Sequence, residues 1–117
     1  MKVLVSDDDV LLRLLLVEEL ASAHMDVVEA ATALEAIDYL TTQAVDLVIT
    51  DVRMPGTLDG TDVAAYSKRR YPATPVIVIS GFPTSEDERV ADVFISKPID
   101  MARLIAHVKD LMGVAAT

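Results

Sequence analysis

The chain has 117 residues, room for one domain with a real core, and at 52% hydrophobic against 4% aromatic that core must be aliphatic. The absence of cysteine excludes disulfides, thiolate chemistry and cysteine-ligated zinc. A net charge of -9 opposes direct contact with nucleic acid or anionic lipid, and there is neither a membrane-length apolar run nor a signal-peptide shape, so a cytoplasmic protein is expected.

Val3-Leu4-Val5 reads as a buried strand, followed at once by Asp7-Asp8-Asp9. A helix is expected from Val10 to about Ala23, with Asp9 or Asp8 as its N-cap. Leu12, Leu15, Leu16 and Leu20 suffice there for a sheet-facing stripe, while Val10, Leu14, Val17 and Ala21 form a second one. An apolar stripe left over after burial marks a partner surface. Met25 to Ala30 is a strand, and Thr32 caps a helix over Ala33 to about Thr42 with Leu34, Ile37 and Leu40 on one face.

Leu47-Val48-Ile49 is an uninterrupted apolar run, suited to a strand buried on both faces. It stops at Asp51, and Met54-Pro55-Gly56 then turns the chain. On that stretch alone Asp51 either starts the turn or sits at the edge where open α/β sheets bind ligands. Gly60-Thr61 opens a helix to Tyr71, ended by Pro72, with Lys68-Arg69-Arg70 as its solvated end. Val76 to Ile79 is the fourth strand, ending at Ser80-Gly81. A short helix over Glu86 to Ala91, a fifth strand over Val93 to Ser96, a last helix over Met101 to Met112 and a frayed Ala115 to Thr117 complete the chain.

Alternating strands and helices imply a five-stranded parallel sheet with helices on both faces. In such a sheet all strand carboxyl ends share one edge. Asp7, Asp8, Asp51, Ser80 and Lys97 each lie at such an end and should converge. Three carboxylates brought together require a cation, and hard oxygen ligands without His or Cys favour Mg2+. Lys97 adds a fixed positive charge and Ser80 a hydroxyl. Together they form a cradle for a phosphoryl group, with a carboxylate as nucleophile. His24 and His107 are isolated and read as surface residues.

With these residues in order, nearly the whole chain resembles a receiver domain of two-component response regulators, of the stand-alone, chemotaxis-regulator-like kind. Asp7 and Asp8 match the family's acidic pair, Asp51 followed by Met54-Pro55 its phosphoacceptor, Ser80 its hydroxyl residue, and Lys97-Pro98 its lysine and proline. The resemblance implies a flavodoxin-like fold with strand order 2-1-3-4-5, Mg2+ on Asp7, Asp8, Asp51 and the Arg53 backbone carbonyl, and phosphoryl contacts from Lys97, Ser80 and the Gly81 backbone. It further implies a cis bond at Lys97-Pro98 and a switch in which Ser80 and Phe94 move together. Phe94 lacks the hydroxyl of a tyrosine, so its signal must come from packing.

The phosphodonor implied is a histidine kinase or histidine phosphotransfer protein, docked on Val10, Leu14, Val17 and Ala21 unless a second copy covers that stripe. Output would pass to an unknown downstream protein, unless the chain shuttles phosphate or was cut from a larger protein. Two features depart from the family. The Pro55 to Gly60 loop is one residue longer than its commonest form, and only 13 residues separate Ser80 from Phe94, so a short or poorly ordered fourth helix is expected. The expectation is a switch, not an enzyme. An aspartyl phosphohydrolase would want an acid two residues past Asp51, where Arg53 stands, and a flavodoxin-like cofactor binder would not carry Asp7-Asp8-Asp9 at its phosphate loop. A receiver kept only as an unphosphorylated scaffold fits poorly with an intact site.

Overall fold

The computed structural model describes residues 1–81 and 91–113. Its strands are β1 (Lys2–Ser6), β2 (Asp26–Ala30), β3 (Leu47–Asp51), β4 (Val76–Ser80) and β5 (Val93–Ser96). The described helices are α1 (Val10–Ser22), α2 (Ala33–Thr42), α3 (Gly60–Arg70) and α4 (Met101–Leu111). The five strands are parallel, in the order β2-β1-β3-β4-β5, which is the expected flavodoxin-like arrangement. The short helix expected over Glu86 to Ala91 falls almost wholly outside the described residues, as does the frayed end. Among the described residues no helix is long and apolar enough to cross a membrane.

The unbroken apolar runs form the central strands because both sheet faces are covered. Side chains along a strand alternate between faces, which sorts them into two cores. Leu4, Val48, Val76 and Val78 pack with Ala33, Ala36 and Leu40 of α2 and Val63 and Ala64 of α3. Val3, Val5, Leu47, Ile49, Ile77 and Ile79 pack on the other face with Leu16 and Leu20 of α1 and Leu104 and Val108 of α4. Side-chain carboxylates fix where the helices begin. Asp9 caps α1 by accepting from the Leu12 N–H, and Asp100 caps α4 by accepting from that of Arg103. At α3, Asp59 and Asp62 form a reciprocal capping box.

Helix faces are where the sequence reading needs correction. Leu15 is 45% exposed and not part of the sheet-facing stripe. Leu16 and Leu20, one turn apart, take that line and leave Leu15 about 100° round the helix. On α2 the buried line is Ala33, Ala36 and Leu40, whereas Leu34 is 58% exposed. The two alanines bring the α2 backbone close to the sheet and turn Leu34 outward. His24 is a surface turn residue with a left-handed φ of 63°, but His107 is half-buried, lining a cavity with Phe94, Asp100 and Arg103.

Candidate metal centre

The parallel register brings β1 and β3 to the same edge, with Ser6 beside Thr50, so Asp7 and Asp51 both stand where their strands end. The ladders continue just past those ends. Asp7 N–H donates to the Ala30 carbonyl at 3.0 Å and Val52 N–H to that of Ile79 at 3.0 Å. Lys97 follows β5, and its N–H donates to the Ser80 carbonyl at 3.0 Å. The Lys97-Pro98 bond is cis, as the family resemblance implies.

Three carboxylates meet at this edge. Asp7, Asp8 and Asp51 each offer an oxygen, and these oxygens all lie within 4.8 Å of one another. Asp7 is 1% and Asp51 5% exposed, while Asp8 is open to solvent. Lys97 Nζ donates to Asp51 Oδ2 at 3.3 Å, a long bond by the usual standard. Among the described residues, the three acids of the cluster and the Lys97 ammonium sum to two negative charges when all are ionised, the charge that a divalent cation neutralises.

Both buried acids resist ionisation. Burial pushes the Asp7 pKa from 3.8 up to about 6, with repulsion from Asp51 and Asp8 adding to it, against the Asp9 N–H bond and Lys97. Burial likewise raises Asp51, opposed by the charge and hydrogen bond of Lys97. Asp7 Oδ1 accepts from Asp9 N–H at 2.9 Å, but its Oδ2 is buried with no hydrogen-bond partner among the described residues. Such an orphan acceptor is costly unless something else satisfies it. The donor set, all oxygen and partly open through Asp8, fits a hard divalent cation that keeps some of its water.

The remaining expected site residues fall around this cluster. Ser80, the last residue of β4, is 1% exposed and pairs with Ser96. Gly81 and Arg53 are exposed beside the same edge, and Phe94 is half-buried against the core that contains Val78. Of the outer stripe of α1, Val10 and Leu14 are 59% and 50% exposed and Ala21 is exposed, whereas Val17 is half-buried. Leu11, unassigned from sequence, is the most open of these leucines at 68%. With Leu12 and Leu15 it lines a groove of about 470 Å3 that reaches Lys97, Pro98 and Met101.

Two residues that the sequence reading missed shape the centre. Gly60 N–H donates to the Val52 carbonyl at 2.8 Å, and a Cβ on Gly60 would lie 1.7 Å from the Asp51 carbonyl oxygen. Only glycine lets the first turn of α3 press so closely on the end of β3. Arg13 Nη1 donates to the Asp7 carbonyl at 2.6 Å while its Nε bonds Glu29 at 3.0 Å. Its sequence signal is a lone cation between Leu12 and Leu14; that of Gly60 is a glycine where a helix opens.

Comparison with known proteins agrees with this geometry. Residues 3–109 match the response regulator receiver domain, and the chain belongs to that family. It is 32% identical over 108 residues to response regulator protein PilR of Pseudomonas aeruginosa, covering 88% of this chain and 24% of that protein. The chain spans about a quarter of the length of the curated relatives it matches. Among solved structures, a response regulator receiver protein from Sinorhizobium medicae superposes with a TM-score of 0.89 at 30% identity, covering 97% of this chain and 94% of that one. Response regulator TrrA of Thermotoga maritima, in complex with Mg2+-BeF, gives 0.86 at 28% identity, covering 94% and 97%.

Proposed function

We propose that Asp51 is the phosphoacceptor of this receiver, taking a phosphoryl group from a phosphohistidine on a histidine kinase or histidine phosphotransfer protein. The observation that carries this reading is the meeting of the Asp7, Asp8 and Asp51 oxygens within 4.8 Å, with Lys97 Nζ 3.3 Å from Asp51 Oδ2. In the transfer an Asp51 carboxylate oxygen forms a bond to phosphorus and the donor's P–N bond breaks. The departing imidazole nitrogen keeps the electron pair. Asp7, Asp8, Asp51 and the Arg53 carbonyl would hold Mg2+, which when bound supplies positive charge against the phosphoryl oxygens. Lys97 supplies the same from the opposite side, and the Ser80 hydroxyl and Gly81 N–H orient the group.

In this reading Lys97 has two roles in turn. Before transfer it holds Asp51 Oδ2; after transfer the ammonium is free to pair with the new phosphoryl oxygens. Ser80 turning toward that group would open space for Phe94, reshaping the surface of β5 and α4 for a downstream protein. Hydrolysis of the acyl phosphate would reset the switch. The donor would dock on the exposed leucines and valine of α1 and the groove beside them, next to Lys97. A second copy of the chain is the other occupant. The net charge of -9 favours output through protein contact over direct binding of nucleic acid, in the cytoplasm.

Incubation with acetyl phosphate and Mg2+, followed by intact mass, tests the chemistry. The expected result is a gain of one phosphoryl group, lost in Asp51→Asn and with a chelator. Sustained turnover of a phosphoester without labelling would favour an aspartyl phosphohydrolase, and no reaction at all an unphosphorylated scaffold.

A further inference from the structure

Asp7 is constrained on every side but one. Its N–H donates to the Ala30 carbonyl at 3.0 Å, its Oδ1 accepts from the Asp9 N–H at 2.9 Å, and its carbonyl accepts from Arg13 Nη1 at 2.6 Å. The only polar atom left is Oδ2, which is buried and turned to no partner among the described residues. The carbonyl contact is the unusual one. It comes from a guanidinium on α1, 15% exposed, whose Nε is at the same time held by Glu29 of β2 at 3.0 Å. One planar side chain thereby ties α1 to β2 through the backbone of an acid at the sheet edge. Glu29 lies opposite Val5 in the β1–β2 ladder, so the anchor is part of the sheet and not of the loop.

We infer that Arg13, anchored by Glu29, is a positioning residue for the cation site: it fixes the Asp7 backbone so that its carboxylate stays beside those of Asp8 and Asp51. This rests on the reading of that cluster as a Mg2+ site. Charge and geometry make opposite demands on Arg13, and this separates the inference from a plain electrostatic one. A cation close to the site repels Mg2+, so if only its charge mattered, removing Arg13 would tighten Mg2+ binding. If its hydrogen bond to the carbonyl orients Asp7, removing it loosens binding despite the relief of repulsion. Groups that orient ligands in this way typically carry about 10–100-fold in metal affinity. Lysine keeps the charge but lacks the planar fork that reaches two acceptors at once.

The test is calorimetric titration of the unphosphorylated full chain with Mg2+, with unfolding of the metal-free protein followed in parallel. Arg13→Ala should weaken Mg2+ about tenfold or more. Arg13→Lys should weaken it nearly as much, and Glu29→Gln by a smaller factor in the same direction. In a cycle of Arg13→Ala with Glu29→Ala, the double variant should be no weaker than Arg13→Ala alone, because Glu29 acts through Arg13. A role confined to stability would lower the unfolding midpoint and leave the affinity of the folded protein unchanged. Unchanged or tighter Mg2+ binding in Arg13→Lys and Glu29→Gln, which keep the site packed, overturns the inference. Failure of the unsubstituted chain to bind Mg2+ at all overturns the cation site itself, and the inference with it.

Discussion

Asp7→Asn should make the metal-free protein more stable while abolishing its response to Mg2+. Asp7 is 1% exposed, and its pKa is raised from 3.8 to about 6, chiefly by burial. The folded state therefore binds a proton that the unfolded chain has already released between those two values. Stability contributed by the protonated acid is present below pH 3.8 and lost as pH rises through about 6. At about 1.4 kcal/mol per pKa unit the loss above pH 6 is about 3 kcal/mol. Asparagine keeps the shape and the acceptor for the Asp9 N–H but carries no charge, so it escapes that loss. Urea unfolding in chelator at pH 7.5 should show a midpoint raised by more than about 1 M over the unsubstituted protein. The gap should close as pH falls toward 4. A variant equally or less stable at pH 7.5, or a gap independent of pH, refutes the reasoning.

Mg2+ affinity should itself fall as pH drops below about 6, roughly tenfold per unit, because the cation must displace the proton on Asp7; calorimetry at a series of pH values giving a flat profile from 7 to 5 would contradict the assignment. Gly60→Ala places a methyl group against the Asp51 carbonyl and should cost at least about 2 kcal/mol in chemical denaturation while slowing phosphorylation of the fraction that folds. Leu14→Glu, at a half-exposed position on α1, should change stability by no more than about 0.5 kcal/mol. It should also slow transfer from a phosphohistidine donor about tenfold or split a dimer; if stopped-flow transfer and sedimentation are both unchanged, the apolar stripe is incidental.

Much of this molecule is readable before folding because its central strands are buried on both faces. Leu47-Val48-Ile49 and Val76 to Ile79 leave no polar alternation to misread, and each ends on a residue that a buried strand would not choose, Asp51 or Ser80. Lys97, placed just past β5, meets Asp51 because a parallel sheet puts all those ends on one edge. Helix faces are less legible. In α1 nearly every residue from Val10 to Val17 is apolar, so the periodicity does not distinguish Leu15 from Leu16, and packing against the sheet decides. Contacts across strands are the least legible. Nothing in the spacing of Arg13 and Glu29 ties them, since their meeting depends on where β2 pairs with β1. In the sequence Gly60 reads only as a helix opener, for a similar reason. Its necessity lies in the backbone of Asp51, nine residues earlier in the chain and in contact only after α3 docks.

The central claim is that the Asp51 carboxylate becomes an acyl phosphate. Borohydride reduces an acyl phosphate, but not a free carboxylate or a phosphate ester, to the alcohol, so an aspartyl phosphate is recorded as homoserine. After labelling with acetyl phosphate and Mg2+, reduction and peptide mapping by mass spectrometry should find homoserine at residue 51 and nowhere else. Homoserine at residue 7 or 8, phosphate ester on Ser80, or an unmodified residue 51 in labelled protein would contradict it.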